Sequence, residues 1–163
     1  MAYMGRMLNT PIELIEATID GNKKRKKHMA ERILEAVKGI PNAKIGILGL
    51  AFKNGTDDCR ESPAMDVVQE LLSYRADITA YDPKAMGTAY RILGDKITYA
   101  EDMYAVAKEA DVLVILTEWP QFSMLDLDGL AQLMNHKVIL DFRNMLDKKQ
   151  VLAKGFKYQC IGK

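Results

Sequence analysis

From Lys44 to the carboxyl terminus, short apolar runs alternate with stretches of helical periodicity. That alternation restricts the fold more than any other feature of the chain. The runs 44–50, 78–81, 97–99, 112–116, 138–141 and 158–161 read as strands, the one at 97–99 being the weakest. The stretches 62–74, 83–93, 101–109, 128–135 and 147–153 read as helices. Ser62-Pro63 marks a helix start, an N-cap followed by proline at the first helical position. Strands that alternate with helices form a parallel sheet covered on both faces. Right-handed crossovers then favour an α/β, doubly wound, Rossmann-like sheet in the order 3-2-1-4-5-6.

Residues 10–38 differ in texture and read as one long α-helix preceding the sheet. Thr10-Pro11-Ile12-Glu13 has the form of a capping box, and Gly39 and Pro41 end the segment. Ile12, Ile15 and Ile19 form an apolar stripe, resumed by Met29, Ile33, Leu34 and Val37. Gly21 lies between the two halves and is a candidate kink. The expected organisation is a helix over 1–40 and an α/β domain over 41–163.

The 23 basic and 22 acidic residues nearly cancel, giving a formal charge of +1. That balance supplies no global attraction to nucleic acid or membranes. Lys23 to Lys27 is a local basic run, read here as a solvated helix segment. Cys59 and Cys160 stand apart, with no Cys/His cluster around either, so no metal site is expected. Two lone cysteines and no apolar leader at the amino terminus fit a reducing cytoplasm.

In a doubly wound sheet, ligands bind at the carboxyl ends of the strands. The first strand–helix junction is therefore the place to look. It runs Gly46-Ile47-Leu48-Gly49-Leu50-Ala51-Phe52-Lys53 and on to Ser62-Pro63. The later glycine of GxGxxG is missing, and the loop is too long for the tight turn that seats a pyrophosphate on a helix N-terminus. Asp82 stands where a ribose-binding acid would sit, although a turn role before Pro83 is the stronger reading. Lys53 and Arg60 are donors suited to phosphate oxygens, or else partners for Asp57, Asp58 and Glu61. Phe52 and Trp119 are candidate aromatic neighbours of a ligand, with core packing favoured by their apolar surroundings. His28 and His136 have no nucleophile at recognisable spacing and read as exposed.

The string GLAFKNGTDDCRESPA resembles the segment that opens the carboxy-terminal domain of the UDP-glucose/GDP-mannose 6-dehydrogenases. Tyr81-Asp82-Pro83-Lys84, Thr117-Glu118-Trp119, Asp141-Phe142-Arg143-Asn144 and Gly155-Phe156 follow in the family's order. Residues 22–33 are similar to its central interdomain helix. The resemblance implies a protein that oxidises a UDP-sugar at C6 in two NAD-dependent steps through a cysteine thioester. It places that nucleophile and the NAD domain upstream of the central helix, so no catalytic residue is expected in this chain. Cys59 does not match the catalytic motif. By the same resemblance Lys53 and Arg143 contact the nucleotide-sugar, and Arg60 contacts NAD. A homodimer would form through the long helix. Phe142 stands where the family commonly has a small residue.

Overall fold

The computed structural model describes Met7 and residues 12–162. A 24-residue helix α1 (Glu13–Ala36) comes first and runs unbroken through Gly21. Its N-cap is Ile12, with no side-chain cap. The capping pattern at Thr10 and Pro11 lies outside the described residues. Then follow β1 (Lys44–Leu48), α2 (Pro63–Ser73), β2 (Asp77–Tyr81), α3 (Met86–Leu93), β3 (Thr98–Tyr99), β4 (Val112–Ile115), α4 (Leu127–Leu133), β5 (Val138–Asp141), α5 (Lys148–Ala153) and β6 (Lys157–Cys160).

The strands form a six-stranded sheet in the order β3-β2-β1-β4-β5-β6, and every pairing is parallel. This is the order expected from the sequence. Every residue of β4 is buried, as a central strand with helices over both faces requires. β2, β1, β4, β5 and β6 end side by side at the carboxyl edge.

Two departures have local causes. The helix expected at 101–109 is only a 3-10 turn at Ala105–Ala107. Asp102 Oδ1 accepts from the N–H groups of Tyr104 and Ala105, which closes a tight turn, and Glu109 takes a positive φ of 58°. Helix α3 starts at Met86 rather than 83. Asp82 Oδ1 draws in the N–H groups of Lys84 at 2.9 Å and Ala85 at 2.8 Å, and a turn forms first.

The two halves of α1 behave differently. Ala30, Ile33 and Val37 are buried, and this half packs on α2. In the first half Ile12 and Leu14 are exposed, Leu14 to 78%, while Ile15 and Ile19 are half-buried.

Candidate functional site

Three loops meet at the carboxyl edge, and buried carboxylates organise two of them. Asp82, at the end of β2, is buried. Its Oδ2 accepts from Leu50 N–H at 2.8 Å, Ala51 N–H at 2.9 Å and Trp119 Nε1–H at 3.0 Å. One charge thereby ties the loop after β1 to the loop after β4, while Oδ1 caps its own turn. Hydrogen bonds to a charged group contribute about 1.5–3 kcal/mol each. The turn reading of Asp82 was therefore incomplete: its carboxylate fastens two other loops as well.

The same contacts account for the two glycines. Gly49 has φ +95°, and a Cβ there would come within 2.5 Å of Thr117 Cβ. A Cβ on Gly46 would lie 2.8 Å from Val106 O. Both positions are given over to packing. Thr117 Oγ1–H donates to Ala51 O at 2.7 Å, and Ser62 Oγ–H, on the N-cap of α2, donates to Leu50 O at 2.9 Å. Asn54 Nδ2–H reaches across to Glu118 O at 3.0 Å.

Asp141, at the end of β5, is likewise fully buried. It accepts from Arg143 N–H at 2.9 Å through Oδ1. Met145 N–H at 2.7 Å, Leu146 N–H at 2.9 Å and the Tyr158 hydroxyl at 2.9 Å donate to Oδ2. Burial and the hydrogen bond to Asp141 push the Tyr158 hydroxyl pKa upward. The turn thus formed presents Arg143, whose Nε–H donates to Leu116 O at 2.7 Å. Phe142 is buried, and the Arg32 guanidinium of α1 lies over its ring at 5.1 Å. Arg32 also donates to Gln159 Oε1 at 3.2 Å and Cys160 O at 3.4 Å. The bulky ring therefore serves as a seat for α1.

Between α1 and this edge lies an open cleft of about 1130 Å³. Phe52, Leu116, Phe142 and Arg143 form one wall. Residues from Ile19 to Met29 of α1 form another, and Glu61 and the first turns of α2 close the end. Lys23, Arg25, Lys26 and Lys27 all border it, and Lys26 forms an ion pair with Asp66 of α2. The basic run is thus a wall of the cleft as well as a solvated segment. Five consecutive cations wrap round a helix, so some face any neighbour; which neighbour that is depends on the tertiary fold.

Phe52 and Arg143 are brought together on this cleft. Phe52 is 47% exposed, which corrects the core-packing reading for that residue, while Trp119 is buried as that reading required. Lys53 is exposed on the same loop but is not part of the cleft wall. Arg60 is also outside it and grips Asp58, Nε to Oδ1 at 3.0 Å and Nη2 to Oδ2 at 2.8 Å. Those hydrogen bonds hold the Asp58 carboxyl down at about 2. Cys59 is buried, and burial, reinforced by Asp82, Asp58 and Asp57, pushes its thiol up to about 11. Such a thiol stays protonated at neutral pH and is a poor nucleophile. His136 is exposed, as read, but also pairs with the buried Asp111 at 2.8 Å. Glu118, beside Arg143, went unnoticed in the sequence as a site residue.

A family model described as UDP-glucose/GDP-mannose dehydrogenase family, UDP binding domain, matches residues 46–148. The UDP-glucose 6-dehydrogenase of Rhizobium meliloti (strain 1021) is 42% identical over 156 residues, which are 95% of this chain and 36% of that protein. TuaD, a UDP-glucose 6-dehydrogenase of Bacillus subtilis (strain 168), is 37% identical over 153 residues, 94% of this chain and 33% of its own. The solved UDP-glucose dehydrogenase of the archaeon Pyrobaculum islandicum is similar with a TM-score of 0.75 and 33% identity, over 86% of this chain and 31% of that one. The chain spans about a third of the length of these relatives. No helix among the described residues is long and apolar enough to cross a membrane. With the sheet order, the loop geometry and a match over most of the α/β region, the chain belongs to the UDP-glucose/GDP-mannose dehydrogenase family.

Proposed function

We propose that this chain is the nucleotide-sugar-binding part of an NAD-dependent UDP-sugar 6-dehydrogenase, and that the cleft beside α1 holds the UDP moiety. The observation that carries this reading is Arg143 on the cleft wall, backed by its own turn and faced by the basic run of α1. Guanidinium groups suit phosphate oxygens in geometry and charge. Phe52 offers an apolar surface beside them, and Lys53, exposed on the same loop, adds a second cation from the same edge. The segment 1–40, which carries α1, acts in interdomain contact and pairing, and 41–163 as the binding domain.

NAD does not suit this chain's own strand–helix junction. Gly46 and Gly49 are consumed by packing, and a long loop separates Gly49 from α2. The cofactor and the cysteine nucleophile belong to the part of the enzyme outside this chain. Arg60, with Nη1 turned away from Asp58, would reach the cofactor from here. NAD supplies the hydride acceptor; this chain orients the sugar nucleotide. We place the enzyme in the cytoplasm, where the two buried thiols, Cys59 and Cys160, stay reduced.

Titration of the chain with UDP, followed by NMR, tests the reading. Half of the pocket walls would come from elsewhere, so binding of about −4 to −6 kcal/mol is expected. Arg143→Ala should weaken it by ~1.5–3 kcal/mol. Equal binding by both proteins would remove Arg143 from the site.

The first half of α1 supports pairing with a second copy. Ile12 and Leu14 are exposed and Ile15 and Ile19 only half-buried, and such apolar surface is buried most simply across a two-fold axis. Sedimentation at tens of micromolar should show a dimer, shifted toward monomer by Ile15→Asp. A wild-type chain that sediments as a monomer there rules pairing out.

A further inference from the structure

The guanidinium of Arg143 is held from behind by a residue that is not part of the cleft wall. Its Nε–H points at Leu116 O, and Glu118 Oε2 lies 3.2 Å from the same nitrogen. This Oε2 is buried and accepts no hydrogen bond among the described residues. Leaving a carboxylate oxygen in that condition is unfavourable unless a charge stands beside it. The Arg143 guanidinium is the charge in contact with it. Glu118 is itself fixed in place. Its carbonyl accepts from Asn54, its neighbour Thr117 is bonded to Ala51 O, and Trp119 on its other side donates to the Asp82 carboxylate.

We propose that Glu118 is the positioning residue for Arg143. Its carboxylate and the Leu116 carbonyl occupy the Nε edge of the guanidinium and turn the Nη edge, with the remaining N–H donors, toward the phosphates. Neither Nη nitrogen makes a hydrogen bond among the described residues, so that edge is available to a ligand. The proposal rests on the cleft being the nucleotide site. Glu118 acts only through Arg143, because Arg143 borders the cleft and Glu118 does not. An arginine oriented before the ligand arrives loses less rotamer freedom on binding.

The test is a double-substitution cycle on UDP affinity, joined to solvent exchange of the Arg143 Nε–H in ¹⁵N-arginine-labelled protein. Glu118→Ala should weaken UDP binding about three- to tenfold, the range set by immobilising one flexible side chain. It should also speed exchange of that Nε–H. Glu118→Gln keeps the shape and one acceptor oxygen, so it guards against misfolding and should fall between wild type and the alanine variant. In an Arg143→Ala background, Glu118→Ala should change nothing. Wild-type or tighter UDP binding by Glu118→Ala overturns the proposal, since Glu118 would then only screen the arginine's charge. The same loss in the Arg143→Ala background also overturns it, by making Glu118 act independently. If Arg143→Ala itself binds UDP like wild type, the nucleotide reading fails. The Nε–H exchange rate then still decides whether Glu118 holds the arginine.

Discussion

The loops after β1 and β5 both carry candidate ligand contacts, and both are built around one buried aspartate, yet the two aspartates work over different distances. Asp141 closes its own turn, since three of its four donors are N–H groups two to five residues ahead. Asp82 also closes a turn, but its Oδ2 fastens segments more than thirty residues away on either side, at Leu50, Ala51 and Trp119. The Arg143 turn is short and self-contained. The loop carrying Phe52, Lys53 and Arg60 runs from Gly49 to Ser62 and is held from a neighbouring strand. A short turn can be specified by the residues within it, whereas a long loop needs an anchor elsewhere in the sheet.

Neutralising each aspartate separates the two arrangements. Asp82→Asn should destabilise the protein most, by about 2–4 kcal/mol, because an amide cannot accept from all the donors that converge there. Chemical denaturation measures this, and amide exchange in residues 50–58 should speed up along with that of Trp119. Asp141→Asn should cost about 1.5–3 kcal/mol and confine faster exchange to residues 143–147 and the neighbouring Tyr158. Equal losses with equally widespread exchange would show that Asp82 is no more than a local cap.

The same difference explains what could be read from the sequence. Strand–helix alternation with right-handed crossovers led to the observed sheet order, because both signals are local or topological. The Ser62-Pro63 helix start was legible for the same reason: Ser62 Oγ does accept from Ala64 N–H at 3.2 Å. At 101–109, periodicity misled, because the Asp102 side chain competes for backbone donors that a helix would need. Arg143 is legible by motif and lies on the cleft, whereas the apolar surroundings of Phe52 favour core packing and only the fold puts it on the same cleft. The basic run at 23–27 was read as solvated, because nothing near it in the sequence announces the cleft that α1 borders. Glu118 was missed because its partner is a side chain 25 residues ahead, on another strand's loop. An acidic residue directly after a buried strand at the carboxyl edge, with an arginine after the next strand, would have been the signal.

In the proposed function the nucleotide sits between α1 and the carboxyl edge. The most direct measurement is the map of backbone and arginine side-chain NMR shifts produced by UDP. With the nucleotide in the cleft, they concentrate at Phe52, residues 61–66, Leu116 and Arg143, and along α1 from Lys23 to Met29. A map confined to the smaller groove of about 520 Å³ near Lys148, Lys149 and Tyr158, or no shift at millimolar UDP, would contradict it.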